Sequence, residues 1–358
     1  MKANFYTLAV SLNDLSRHML NLFLHYFIKN TPYSLVVLTE EDIPDSPRVK
    51  YLQISKILDP EDLDRVMQAS HKVIKSKGCS EQLESTLTSF FLKAEIYRYL
   101  FNSSSLDIFI DFDILIFSRN FEAAIEGLVQ DMREKPLAMF RDPMIQTWQG
   151  HDYPTFLGEE EQKIIFQQIL NLTYANSGLV ISKGTCSYAH QFFKDMMDKT
   201  LRIEPSKNIE WVAGDQDFFN LLIAGAPDLV HLPKESSANF VYHLPEDPKH
   251  ISEHLCLRYS STFSISPKLE LINTKAFFKK MTSVHLIGKV KYDWLQNLKT
   301  LKRKELIDVF GRLRFDQVCR EVKKGIVGQE SIYFFAFIYL LLGGKYEEIQ
   351  SVRNDPQS

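Results

Sequence analysis

Apolar positions change their period several times along the chain. Phe5-Tyr-Thr-Leu-Ala-Val10 is a short, nearly unbroken apolar run and predicts a strand. Leu15, Met19, Leu22, Phe23, Tyr26 and Phe27 then recur at helical spacing, which predicts a helix over 15–28 with Asn13 or Asp14 able to cap its start. Tyr33–Leu38 and Val49–Ile54 read as second and third strands, and 62–76 and 87–100 as helices. Next comes Asp107-Ile-Phe-Ile-Asp-Phe-Asp-Ile-Leu-Ile-Phe117, apolar on both faces apart from its aspartates. A strand with two apolar faces is covered by helices on both sides, as at the centre of a parallel sheet. The β-α-β alternation therefore predicts a doubly wound, mostly parallel α/β fold, whose ligands bind beyond the carboxyl ends of the strands.

Pro136–Phe140 and Gly178–Ser182 read as further strands. Between them, Trp148–Leu172 is polar and aromatic and predicts a loop followed by a helix over the sheet. Residues 225–272 look irregular, with turns at Pro227, Pro233, Pro245 and Pro248. From about Gln296 the pattern is helical alone, so the expected division is one α/β domain over 1–295 and a helical extension over 296–358.

Composition narrows the class. The 358 residues are 45% hydrophobic and 24% charged, the mix of a folded globular protein rather than a disordered one. Forty-two basic against 45 acidic residues leave a net charge of −3, which gives no reason to expect a nucleic-acid binder. Cys79, Cys186, Cys256 and Cys319 form no CxxC pair, so neither a structural zinc nor a redox motif is signalled. Buried free thiols in a reducing compartment are the expectation. The first apolar run is too short for a secretory signal. The longest, Ile332–Leu342, is eleven residues, where a membrane span needs about 20. A soluble, cytoplasmic protein is expected.

Asp111 and Asp113 carry the first chemical signal. Two residues apart on a strand, they point to one face. Two carboxylates about 6–7 Å apart repel by about 2–3 kcal/mol at an effective dielectric of about 20, and apolar surroundings add a desolvation cost for each. A hard divalent cation such as Mg²⁺ or Mn²⁺ removes both penalties and also binds diphosphate oxygens. The plain structural alternative is a pair of aspartates closing a strand in water.

Four blocks in order resemble glycosyltransferase family 8, which includes glycogenin and bacterial lipopolysaccharide galactosyl- and glucosyltransferases. Asp107-Ile-Phe-Ile-Asp111-Phe112-Asp113-Ile-Leu is similar to the family's metal-binding DxD strand. Tyr174-Ala-Asn176-Ser177-Gly178-Leu-Val-Ile resembles its Asn-Ser/Ala-Gly strand, and Gly214-Asp215-Gln216-Asp217-Phe-Phe-Asn220 its Asp-Gln block. Val284-His285-Leu-Ile-Gly288-Lys-Val-Lys291-Tyr-Asp-Trp294 resembles its closing His-x-x-Gly-x-x-Lys-Pro-Trp motif, with Tyr292 in place of proline and Asp293 inserted. The resemblance implies a GT-A nucleotide-diphospho-sugar transferase fold, with a catalytic domain over 1–295 and an α-helical C-terminal extension.

It also implies roles. Asp111, Asp113 and His285 would hold the metal, Mn²⁺ somewhat better suited than Mg²⁺. Lys291 would meet the diphosphate as a point charge, and Gly288 would let the backbone approach it. Ala9, Ser11 and Asn13 fall where the family's first strand contacts uridine, though Ser11 replaces its common aspartate. Lys93 and Asp142 match groups that approach the donor sugar. Their plain alternatives are a helix-surface lysine and a cap for the turn at Pro143. Phe112, Asn176 and Ser177 would complete the donor pocket, and Asn239 would be structural.

The implied reaction is transfer of a hexose, glucose or galactose, from a UDP-sugar to an acceptor hydroxyl with retention. Asp215 and Gln216 are the candidates for catalysis, by positioning and by stabilising an oxocarbenium-like transition state. The acceptor is expected to be a saccharide, a lipid-linked saccharide or a protein, with Trp148, His151, Tyr153 and Phe156 in the region where it would bind. Lys299–Lys324 carries nine basic and four acidic residues. It reads either as a helical appendage on the catalytic domain or as a peripheral contact with an anionic membrane. Two rivals remain. A nucleotidyltransferase would need a glycine-rich loop, and 8–16 contains no glycine. A catalytically silent relative would bind nucleotide-sugar or a protein partner.

Overall fold

A computed structural model describes residues 2–77, 81–116, 121–141, 175–202, 214–233, 256–258 and 283–287. They belong to two compact units, 1–12 with 32–112 and 125–234, and 13–31 with 113–124 and 235–358. The expected boundary at 295/296, the loop and helix of 148–172 and the whole C-terminal extension lie outside the described residues.

The first unit is built on a seven-stranded sheet in the order β3-β2-β1-β4-β7-β6-β8. Its strands are β1 (Asn4–Ala9), β2 (Leu35–Thr39), β3 (Val49–Gln53), β4 (Leu106–Ile110), β6 (Leu137–Arg141), β7 (Ala175–Lys183) and β8 (Val230–His231). All neighbouring pairs are parallel except β4/β7 and β6/β7, so β7 alone runs against the rest. This is the mostly parallel α/β fold that the alternating apolar pattern predicts. Burial follows position: Asp107–Ile110 and Ala175–Ser182 are buried at every residue, as strands covered on both faces must be.

Helices α2 (Pro60–Lys77), α3 (Glu81–Phe101), α5 (Ser187–Leu201) and α6 (Asp215–Gly225) belong to the same unit. Residues 91–97 of α3 are buried without a break, and so are 217–224 of α6. Helices buried all round lose the polar stripe that betrays a surface helix. Where they meet the sheet, aromatic rings interlock. Tyr97 sits edge-on to Phe109 and Phe219, with centroids 4.9 and 4.8 Å apart, and Phe193 meets Phe219 at 4.8 Å. Cys186 is buried at the start of α5, and burial pushes its thiol pKa up. The other three cysteine side chains lie outside the described residues.

In the second unit, α1 (Asp14–Asn30) packs beside a three-stranded sheet, β5 (Ile114–Ile116), β10 (Ser283–Ile287) and β9 (Cys256–Arg258), in the order β5-β10-β9. Asn30 Nδ2 donates to the Ile116 carbonyl at 2.7 Å and ties helix to strand. Helix α4 (Phe121–Asp131) begins in this unit and ends in the first.

One expectation needs correction. The run from Asp107 to Phe117 is not one strand but two, β4 and β5, which belong to different sheets and are separated by a turn at Phe112 and Asp113. Asp111 and Asp113 therefore do not share a strand face. Asp111 precedes the turn and Asp113 lies in it, and the apolar run continues past it because β5 is itself a strand with another partner. Among the described residues no helix is long and apolar enough to cross a membrane.

Candidate functional site

The strand order places a crevice. Succession from β1 runs outward to β2 and β3, then jumps back across β1 to β4. In open α/β sheets the carboxyl ends of the two strands at such a reversal form the ligand crevice. Here those ends are Ala9-Val10-Ser11 after β1 and Asp111-Phe112 after β4. The first-strand positions Ala9 and Ser11 and the DxD block thus reach one edge of one sheet.

Lys93 is the hub of this edge. It lies on the wholly buried stretch of α3, its side chain only 9% exposed. Its ammonium donates to Asp111 Oδ2 at 2.9 Å and to Ser177 Oγ at 3.4 Å, and pairs with Asp215 Oδ2 at 3.2 Å. Burial alone would lower its pKa; the Asp111 and then the Asp215 carboxylates outweigh that and raise it. The rings of Phe109 and Tyr97 add negative faces, their centroids 5.4 and 5.8 Å from the nitrogen. Lys93 thus bridges the two carboxylates at the carboxyl end of β4. Lys93 is accordingly not the surface lysine of the plain alternative.

Backbone contacts fix the carboxylates. Asp111 N–H donates to the Gly178 carbonyl at 2.8 Å, extending the β4/β7 ladder one step past Ile110↔Leu179. Asn176 Oδ1 accepts from Gly178 N–H at 2.8 Å, and the Tyr97 hydroxyl donates to the Ser177 carbonyl at 2.7 Å. Asp215, buried at 2% exposure, opens α6 immediately after Gly214. Gly214 has φ +59, and a Cβ there would come within 2.6 Å of Phe90 Cβ. Only glycine lets α6 start this close to α3, and that approach delivers Asp215 to Lys93.

Asn220, one turn further along α6, binds the start of β7 as another strand would. Its Oδ1 accepts from Ala175 N–H at 2.6 Å, and its Nδ2 donates to the Ala175 carbonyl at 2.9 Å and to the Gln216 carbonyl at 2.8 Å. One amide thus locks the Asn176-Ser177 segment to the Asp215-Gln216 segment. Sequence reading quotes Asn220 within its block without giving it a role. Its offset of five from Asp215 was the available signal.

Other expected residues fall as follows. Ala9 is buried and pairs with Thr39 across β1 and β2. Ser11 is exposed and left-handed, with φ +49. Asn13 caps α1, its Oδ1 accepting from Ser16 N–H at 2.9 Å. Asp113 is half-buried in the turn ahead of β5. His285 stands on β10 directly across from Ile114, the residue that follows Asp113. The backbone register thus sets His285 opposite the residue that follows the second aspartate of the DxD. Asp142, Gly288, Lys291, Asn239, Trp148, His151, Tyr153 and Phe156 lie outside the described residues. Among the described side chains, which do not include that of His285, no group of three or more metal-ligating residues is assembled.

No protein-family model matches the chain. Nor does any curated protein. Among solved structures it is similar to mouse xyloside xylosyltransferase 1 in its apo form, at 13% identity and a TM-score of 0.41, over 64% of this chain and 84% of that one. It is similar to the galactosyltransferase LgtC in complex with donor and acceptor sugar analogs, at 11% identity and a TM-score of 0.41, over 84% and 98% of the two chains. It also aligns with the bifunctional glycosyltransferase WbbM in its apo form, at 12% identity and a TM-score of 0.45, over 83% of this chain and half of that one.

Proposed function

We propose that this protein is a retaining, divalent-metal-dependent glycosyltransferase that moves a hexose, glucose or galactose, from a UDP-sugar to an acceptor hydroxyl on a saccharide, glycolipid or protein. The observation that carries the reading is the Lys93–Asp111–Asp215 cluster at the reversal of strand order, which joins three of the four sequence blocks that resemble a nucleotide-sugar transferase.

In this reading Asp111, Asp113 and His285 hold the metal. Two carboxylates and an imidazole suit Mn²⁺, with Mg²⁺ the alternative. The bound ion supplies Lewis-acid stabilisation to the departing diphosphate. Lys291 adds positive charge to that leaving group and Gly288 gives it room. Lys93 holds Asp111 and Asp215 at a fixed spacing, so neither carboxylate has to reorganise when the donor arrives.

The hexose lies against Asn176, Ser177 and Asp142, with Phe112 along the turn. Asp215 and Gln216 face its anomeric region. A carboxylate there stabilises positive charge developing on the ring, and Gln216 orients it. The uridine rests on Ala9, Ser11 and Asn13. The acceptor's hydroxyl proton passes to the leaving phosphate on the same face. A cytoplasmic location, with the basic C-terminal segment as a peripheral membrane contact, completes the proposal.

The test is nucleotide release from a panel of UDP-sugars, with and without Mn²⁺, followed by the anomeric configuration of the product. Mn²⁺-dependent UDP release from one donor supports the assignment. Absence of both release and UDP binding across the panel overturns it.

A further inference from the structure

We propose that Glu40 holds the 2′- and 3′-hydroxyls of a ribonucleotide, so that the site selects ribose over deoxyribose. The inference rests on the nucleotide-sugar reading above and assigns a residue that the sequence blocks do not contain.

Glu40 is the first residue after β2, and Ser11 the second after β1. The last pair in the β1/β2 register is Ala9↔Thr39, so the two residues leave the sheet side by side at its carboxyl edge. On the other side of β1, β4 delivers Asp111 to the same edge. Glu40 is exposed and therefore open to a ligand. It is also held: its Oε2 accepts from Ser11 N–H at 3.2 Å. Ser11 reaches that bond with φ +49, a left-handed conformation that a non-glycine residue adopts at a cost. Strain of this kind concentrates at ligand clamps and active sites.

The chemistry of the pair is one-sided. A carboxylate only accepts hydrogen bonds, at roughly four lone-pair sites, and one backbone N–H occupies one of them. A ribose cis-diol offers two adjacent hydroxyl donors that match its two oxygens. In dinucleotide-binding folds an acidic residue about 20 residues past the first turn takes the ribose 2′-hydroxyl in this way. Where the resemblance places an aspartate after β1, this chain has Ser11. Glu40 restores a carboxylate to the crevice from the neighbouring strand and uses the Ser11 backbone as its anchor.

Titration calorimetry with UDP, 2′-deoxy-UDP and CDP, each with Mn²⁺, tests this on the wild type, Glu40→Gln and Glu40→Ala, with circular dichroism as the folding control. Glu40→Gln keeps an oxygen for Ser11 N–H, removes the charge and turns the other oxygen into an amide donor. The wild type is expected to prefer UDP over 2′-deoxy-UDP by about tenfold, the scale of a hydrogen bond to a charged group. Both variants should lose most of that preference while still binding UDP. An unchanged preference in the variants, or none in the wild type, overturns the inference and leaves the nucleotide site standing. Loss of UDP-over-CDP preference instead would make Glu40 a reader of the base and overturns it too. A wild type that binds none of the three removes the nucleotide reading itself.

Discussion

Lys93 and Asn220 are each defined by what their removal would leave behind. Lys93→Met would leave Asp215, whose side chain is 3% exposed, and Asp111 without their shared cation. Breaking a buried ion pair from one side destabilises by about 3–5 kcal/mol. A loss of that order is expected in urea unfolding, with part of it recovered in Lys93→Met/Asp215→Asn; a change below about 1 kcal/mol would contradict the buried pairing. Asn220→Leu would strand the N–H and the carbonyl of Ala175 in the core, costing about 1–3 kcal/mol for each unpaired group. Asn220→Asp keeps the acceptor for Ala175 N–H and loses both donations. Its carboxylate would face the Ala175 and Gln216 carbonyls in the core, so it should lower the unfolding midpoint and also raise the KM for the donor, because the Asn176 and Gln216 segments are no longer locked together.

At the scale of elements, the approach of α6 to α3 decides the site. Gly214→Ala would force a left-handed alanine whose Cβ meets Phe90 Cβ at 2.6 Å. A destabilisation of about 2 kcal/mol or more is expected, from backbone strain and overpacking together. The thermal melt reads it, and a wild-type melting temperature would contradict the close approach.

The elements also show how much the sequence discloses. β1 to β4 and α1 to α3 are legible because apolar residues alternate or recur there within one segment. The turn at Phe112 and Asp113 is not, since Ile114–Ile116 continues the apolar run into another sheet and periodicity carries no record of a change of partner. Helix α6 is missed as a helix because it is buried nearly all round, its polar residues Asp215, Asp217 and Asn220 included, so no solvent-facing polar stripe marks it. The Lys93–Asp215 pair joins two segments far apart in the chain, and no spacing rule reaches it. Ser11 and Glu40 come together only through the β1/β2 register, which a sequence without a pairing map does not give.

At the scale of the whole molecule, Tyr6 and Lys93 both make stability fall at alkaline pH. Burial first, then the Asp107 carboxylate and the Tyr99 phenol, push the pKa of Tyr6 up to about 12. Below about 10, the ordinary phenol value, folded and unfolded chains both keep this proton and its contribution is complete. Above that the unfolded chain ionises first, so stability falls as pH rises toward about 12. The raised Lys93 acts in the same direction, because its ammonium is needed between Asp111 and Asp215. The melting temperature should hold from neutral pH to about 10 and then decline, less steeply in Tyr6→Phe. Equal slopes for the two proteins would remove Tyr6 from the account.

The central claim is a metal-bound nucleotide at the carboxyl edge of the main sheet. The most direct measurement is the electron paramagnetic resonance signal of free Mn²⁺ titrated with the protein and UDP, on the wild type and Asp113→Ala. The free-ion signal should be lost as UDP is added to the wild type, and far less should be lost with the variant, whose circular dichroism should be unchanged. A wild type that leaves the signal intact, or a variant that removes it equally well, would contradict the claim.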